Sequence, residues 1–358
     1  MKNPVVSSLF TIALVTTQSF AYETDKPVKV QIAIQKSQSQ EKPISFAKKQ
    51  VVLEGVRLTA EEKKVIFTNI ISKHNLVMGN AVNLPQKINL GMNGVPVLDQ
   101  GQHGAVAAFA TTAAIDAVLG KGDYISQLCH LELSHFISDY SYSPNGWSSA
   151  SVSGELNQLM TFGIVSKTTQ QLESCAGIKE YPSDDMKNEG NLMSLPEYKE
   201  KSEAIHTTIR PELLLATYDR LHGFTEQKAD AVLMNVKQAL AKGHRLAFKT
   251  LLMIIFDDEH YCEGGVCASF HSNKDTWAFT KALQNINPHS PTLLAAAHAL
   301  VITGYDDKAI ATDNEGNTHQ GLLTLRNSWG PDAGDHGDYY MTYDYFKQFA
   351  MEVYEIVR

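Results

Sequence analysis

The chain has 358 residues, of which 43% are hydrophobic and 20% are charged. This composition is typical of a globular protein and excludes the low-complexity, collagen-like and wholly disordered classes. The net charge is -8, from 31 Lys and Arg against 39 Asp and Glu, so we expect no nucleic-acid partner and no general attraction to anionic membranes.

The first 21 residues have the pattern of a secretory signal peptide. Lys2 gives a positive start, the run from Val5 to Val15 is mostly apolar, and Ser19-Phe20-Ala21 is a small-x-small cleavage pattern. An uncleaved membrane anchor is the alternative, but it needs about 20 apolar residues. We therefore predict a secreted or periplasmic protein that begins near Tyr22 and does not insert into a membrane after cleavage.

Residues 22–83 form a small N-terminal region. Val28 to Ile34 alternates apolar and polar residues, which predicts a short half-buried strand. Thr59 and Glu62 are spaced as a capping box, and the apolar residues that follow predict a helix to about His74. This region is either a pro-segment or a plain extension of a main domain that spans residues 84–358.

Three segments of the main domain contain the candidate functional residues. In the first, a Gln100-Gly101 turn leads into small residues that predict a helix continuing to about Leu119. In the second, His298 opens an apolar, β-branched strand that ends at Gly-Tyr. In the third, Asn327 begins the sequence Asn-Ser-Trp-Gly, which a glycine-rich turn follows.

In this order the three segments resemble the papain-like cysteine peptidases. The resemblance implies an α+β fold with two subdomains, one helical and one β-rich, and a peptide-binding cleft between them. It also implies an oxyanion-binding role for Gln100, a general-base role for His298, an orienting role for Asn327 and a shielding role for Trp329. The nucleophilic cysteine of the family, however, falls on Val106.

A valine cannot supply the thiolate that attacks a peptide carbonyl. Loss of the nucleophile from such a set of residues costs on the order of 10⁶ in rate. We therefore expect an inactive homologue that binds a peptide or protein in the cleft. The competing hypothesis is a hydrolase that uses water activated by His298 or a displaced nucleophile, for which His103, Thr111 and Thr112 are the nearest candidates in sequence.

Four cysteines remain, and none of them occupies the nucleophile position. Cys262 and Cys267 could close a small loop, which would leave Cys129 and Cys175 to pair where the family also carries bridges; three connectivities are possible in principle. A metal site is the alternative, because His260, Cys262, Cys267 and His271 lie within twelve residues. We favour disulfides in an exported chain and expect neither a metal nor a cofactor.

Some segments depart from the family pattern. Ser143–Ser148 replaces the glycine-rich wall of the cleft, and residues 178–228 and 256–291 are insertions without an assignable role. A further cluster, His130 to His135, lacks the spacing of a zinc-binding helix and is expected at the surface.

Overall fold

The computed structural model describes residues 23–36, 45–68, 84–141, 143–148, 150–184, 192–255, 262–291 and 293–358. The predicted signal peptide, its cleavage site and the end of the helix predicted to reach His74 lie outside these residues. Within them, no helix is long and apolar enough to cross a membrane.

The helices of the described residues concentrate in the first half of the main domain. They are α1 (Ala60–Thr68), α2 (Val106–Leu119), α3 (Gln127–Tyr140), α4 (Val152–Phe162), α5 (Lys167–Glu173), α6 (Leu195–Lys201), α7 (Thr217–Leu221), α8 (Glu226–Ala241), α9 (Lys281–Asn285) and α10 (Tyr343–Phe349). Helix α2 is the central one: it is buried from Val106 to Ala117 because most of its side chains are small or apolar on all faces.

The strands dominate the second half and the N-terminal region. They are β1 (Glu23–Lys36), β2 (Ser45–Arg57), β3 (Lys87–Asn89), β4 (Arg210–Leu215), β5 (Arg245–Ile255), β6 (Ala268–Ser269), β7 (Thr276–Trp277), β8 (Leu293–Asp313), β9 (Thr318–Arg326), β10 (Asp338–Thr342) and β11 (Ala350–Val357). Their order in the sheet is β4-β11-β5-β8-β6-β7-β10-β9. Because β9 also pairs with β8, the strands from β8 to β9 in this order form a closed ring.

Helices and strands are thus largely segregated along the main domain, which confirms the predicted α+β class. Helix α2 packs against the sheet, since Val106 and neighbouring helix residues share one core with Ala247 of β5 and Ala299 and Val301 of β8. The sheet has a second, larger core on its other side, beneath α8 and α10. The junction between α2 and the sheet contains the candidate site.

Two predictions for the N-terminal region are confirmed, and the region contains one further strand. The predicted strand lies within β1, and the capping box begins α1, with Thr59 and Glu62 bonding each other's backbone N–H groups at 2.6 and 3.2 Å. Strand β2 was not predicted from the sequence; it pairs antiparallel with β1 and then with β8 through Glu54 and Gly55. The N-terminal region is therefore a hairpin that joins the main sheet.

Both disulfides are those favoured from the sequence. Cys129 bonds Cys175 in the helical part, and Cys262 bonds Cys267 in the inserted loop, with Cα–Cα distances of 5.1 and 5.0 Å. The alternative metal site is not formed, because both of its thiols are in the second bridge; His260 lies outside the described residues.

The expectation that the His130 to His135 cluster lies at the surface was wrong. His130 is 1% exposed and its Nε2 contacts the buried carboxylate of Glu155, which lies on α4. Helix α3 begins at Gln127, so the whole cluster lies within this helix. Polar residues here are buried because they pair across two helices.

Candidate active site

Helix α2 begins at Val106, directly after the turn that contains Gln100. Gly101 has φ +62°, and an added Cβ there would lie 2.1 Å from the backbone oxygen of Ser183, so only glycine fits. This turn presents the Gln100 side chain toward the third segment: its Oε1 accepts a hydrogen bond from the Ser328 hydroxyl at 2.7 Å. The turn and the Asn-Ser-Trp-Gly segment are also joined by a bond from the Gln100 N–H to the Ser328 carbonyl at 2.9 Å.

His298 and Asn327 form a buried pair. His298 lies within β8, with β5 on one side, and Asn327 follows the last residue of β9. The imidazole Nε2 lies 2.8 Å from Asn327 Oδ1, and the His298 Nδ1 has no hydrogen-bond partner among the described residues. Burial lowers the pKa of His298 to about 4, although the Asn327 hydrogen bond opposes the shift. The imidazole is therefore neutral at pH 7.

Aromatic rings cover this pair. Trp329 stacks on the His298 ring at a centroid distance of 4.7 Å, and Trp277 lies edge-on to Trp329 at 5.9 Å. Trp329 was expected here from the sequence, but Trp277, which lies in the insertion 256–291, was not. His298 is 0% exposed as a result.

The other insertion contributes to the helical side of the site. Tyr181 stacks on Trp147 at 5.6 Å and donates a hydrogen bond to the Gln100 carbonyl at 2.9 Å. His103 packs edge-on against both rings, and its Nε2 lies 2.6 Å from the Pro182 carbonyl. His103 is thus held in the wall of the site. No sequence signal placed Tyr181 there, because it lies far from His103 along the chain.

The space between the helical side and the sheet holds strand β2. Gln100 Nε2 donates to the Val52 carbonyl at 3.1 Å and to the His103 carbonyl at 2.8 Å. Lys49 Nζ of the same strand lies 2.9 Å from the Trp329 carbonyl. The Gln100 amide, which was predicted to bind an oxyanion, thus already binds a carbonyl of the chain itself. Both Val52 and Val106 are buried here, at 4% and 0% exposed.

A buried ion pair fixes the next part of β2. Glu54 Oε2 lies 2.5 Å from Lys249 Nζ of β5, and both side chains are 0% exposed. Lys249 Nζ also donates to the Ala150 carbonyl at 2.9 Å, on the helical side. Strand β2 thus contacts the helical side through Val52 and Gln100, and the sheet through Glu54 and Lys249.

The candidate replacement nucleophiles are engaged elsewhere. The hydroxyls of Thr111 and Thr112 donate to the Ala107 and Ala108 carbonyls, at 2.9 and 2.7 Å, one turn back along α2. They are both buried. Gln100, Val106, His298 and Asn327 thus lie where α2 meets the sheet, but among the described residues the arrangement offers no activated hydroxyl or thiol.

Comparison with known proteins gives one family match, near the C-terminal end of the chain. Residues 279–357, which include His298 and Asn327, match the Peptidase C1-like family. No curated protein sequence matches the chain. The matched region contains β8, β9 and the Asn327 segment. The α+β arrangement, with α2 packed on the sheet, is the one that the resemblance implied.

Several solved structures are similar to this chain. Xylellain, a cysteine protease from Xylella fastidiosa, is 18% identical over 77% of this chain and 87% of its own, with a TM-score of 0.43. Procathepsin L 3 of the Tenebrio molitor larval midgut is 18% identical over 83% of this chain and 79% of its own, with a TM-score of 0.42. The bromelain protease from Ananas comosus is 13% identical over 76% of this chain and 98% of its own, with a TM-score of 0.41.

Proposed function

Since the part of the chain that contains His298 and Asn327 matches the Peptidase C1-like family, we propose that the protein is a secreted, inactive homologue that holds an extended peptide strand in its cleft without cleaving it. The observation that carries this proposal is the hydrogen bond from Gln100 to the Val52 carbonyl beside a helix that begins with Val106. A carbonyl is bound at this position, and no nucleophile can attack it there.

The chemistry of the remaining residues supports binding rather than turnover. An amide donor and a His–Asn pair can bind and polarise a carbonyl, but acyl transfer to the enzyme needs a nucleophile whose proton the base removes. In this chain Val106 takes that position and is enclosed in the core. Strand β2 is the occupant of the cleft, so an external peptide has to replace it.

Export is part of the proposal. The apolar N-terminal sequence is that of a signal peptide, and the two disulfides fit an extracytoplasmic compartment. N-terminal sequencing of the exported protein tests this: we expect a start near Tyr22. A start near Leu84 would instead identify residues 22–83 as a removed pro-segment.

A hydrolase that activates water is the second candidate. It is favoured by the intact pair of His298 and Asn327, whose neutral imidazole keeps Nδ1 available as a base. Water would have to reach that nitrogen, and in this conformation the ring is fully buried. The hydrolase therefore requires a conformation in which water reaches the His298 ring.

Turnover distinguishes the two candidates. The purified full-length protein is incubated with a diverse peptide library between pH 5 and 8, and cleavage is followed by mass spectrometry. We expect no cleavage. Cleavage that His298→Ala abolishes would overturn the proposal and favour the hydrolase, whereas cleavage that survives this substitution would point to a contaminating peptidase.

A further inference from the structure

We propose that the cleft selects an extended peptide with an acidic side chain, and that Lys249 is the residue that recognises the carboxylate. This inference rests on the proposed peptide-binding function of the cleft. The chain's own β2, residues 49–55, is the template, because it shows which chemistry each part of the cleft accepts.

Both charges of the Glu54–Lys249 pair are buried. Lys249 belongs to β5 of the main sheet. It lies opposite Ala299, the residue that follows His298 in β8. Its ammonium group is fully buried and lies 2.5 Å from Glu54 Oε2. A buried ammonium is costly unless a charged partner and further hydrogen bonds satisfy it. An occupant that replaces β2 and carries a carboxylate at the position of Glu54 would keep this contact of Lys249.

The recognised groups of β2 have a fixed spacing. The Val52 carbonyl binds Gln100 and the Glu54 carboxylate binds Lys249, so the two groups come from residues two apart. In an extended strand such residues are separated by roughly 6.5 to 7 Å. The cleft thus recognises a main-chain carbonyl followed, two residues later, by an acidic side chain, in a strand that pairs antiparallel with β8.

A third contact of β2 is much less selective. Lys49 Nζ lies 2.5 Å from Asp99 Oδ2, but the Asp99 side chain is 42% exposed, and exposed ion pairs contribute little. The acidic residue at the position of Glu54 should therefore dominate selection. Glu54 lies on the N-terminal hairpin, which pairs with β8 at only two positions, whereas Lys249 lies on β5 of the main domain. The carboxylate can therefore leave with the hairpin while the ammonium stays.

The experiment uses the full chain with Glu54→Lys, which places two ammonium groups together and should expel β2. Hydrogen exchange of the β2 amides reports whether the strand has left. Two fluorescent peptides are then titrated: one with the sequence of residues 48–57 and one identical except for Glu54→Gln. We expect the acidic peptide to bind at least about tenfold more tightly, as for loss of a hydrogen bond to a charged group.

Each outcome decides a different point. Discrimination that disappears when Lys249→Met is added supports the inference. Equal binding of the two peptides overturns acidic selection but leaves the peptide-binding function. Failure of both peptides to bind when β2 is out overturns the proposed function itself. Unchanged exchange of the β2 amides overturns the role of the Glu54–Lys249 pair. If the Glu54→Lys variant does not fold, Glu54→Gln replaces it, with the same readouts.

Discussion

A cysteine introduced at position 106 would report how tightly β2 closes the cleft. All four native cysteines are in disulfides, so Val106→Cys gives the chain a single thiol at a residue that is 0% exposed. The substitution is small and should cost on the order of 1 kcal/mol of stability. We expect this thiol to react with iodoacetamide only when β2 leaves.

The expected size of the effect comes from the Glu54–Lys249 pair. Removing one partner of a buried ion pair typically costs about 3–5 kcal/mol, and Glu54→Gln applies that cost to the closed state alone, because β2 carries the residue out of the cleft. When opening and closing are fast, the labelling rate follows the opening equilibrium. A cost of about 3 kcal/mol then corresponds to a rate at least about 100-fold higher.

The assay compares labelling rates at pH 7.5 in Val106→Cys alone and combined with Glu54→Gln. Glu212→Gln is the matched control, since it makes the same carboxyl-to-amide change in a pair with Arg210 whose side chains are 41% and 73% exposed. It should leave the rate unchanged. Labelling of Val106→Cys as fast as in urea, or equal rates with and without Glu54→Gln, would refute the reasoning that β2 closes the site.

Other consequences concern stability. Burial lowers the pKa of His298 to about 4 and raises that of Asp116 to about 7. The contribution of His298 to the free energy of unfolding, about 3 kcal/mol, is therefore present above pH 6.5 and lost as the pH falls to 4. The contribution of Asp116, about 4 kcal/mol, is present below pH 3.8 and lost as the pH rises to 7. Urea unfolding of His298→Gln and Asp116→Asn against the native chain should show differences of opposite pH slope, and parallel profiles would contradict both shifts. Gly101→Ala should lower the free energy of unfolding by about 2 kcal/mol or more, because the added Cβ would meet Ser183. The control is Gly91→Ala, at φ +57° with open space around it, which should cost only about 1 kcal/mol. Equal losses in the two variants would show that the contact with Ser183 does not matter.

The residues of the candidate site could be predicted from sequence because each sits in a local pattern. Gln100 precedes a glycine turn and a small-residue helix, His298 lies in a β-branched strand, and Asn327 begins a distinctive tetrapeptide. Each of these patterns is contained in a short stretch of chain. Together they indicated the order of the elements and the valine at position 106.

Strand β2 could not be predicted in the same way. Its centre, Val51 to Leu53, is buried on both faces and so shows no alternation of apolar and polar residues. Lysines precede that run and Glu54 follows it, which is typical of an exposed segment. The ion pair that makes Glu54 a core residue joins it to Lys249, 195 positions away, and no local pattern carries that information.

The valine and the filled cleft are physically consistent with each other. A thiolate at position 106 would be a charge in a fully buried place. Its partner would be a protonated His298, which the burial that lowers the pKa of this imidazole disfavours. Both charges need access to water or to each other to be stable. Val106 removes one of them, so the His298–Asn327 pair can stay neutral beneath Trp329. Lys249 is a buried charge on the sheet side of the cleft, and the carboxylate of Glu54 on β2 contacts it. The contacts that hold β2 in the cleft therefore include this carboxylate as well as the amide of Gln100.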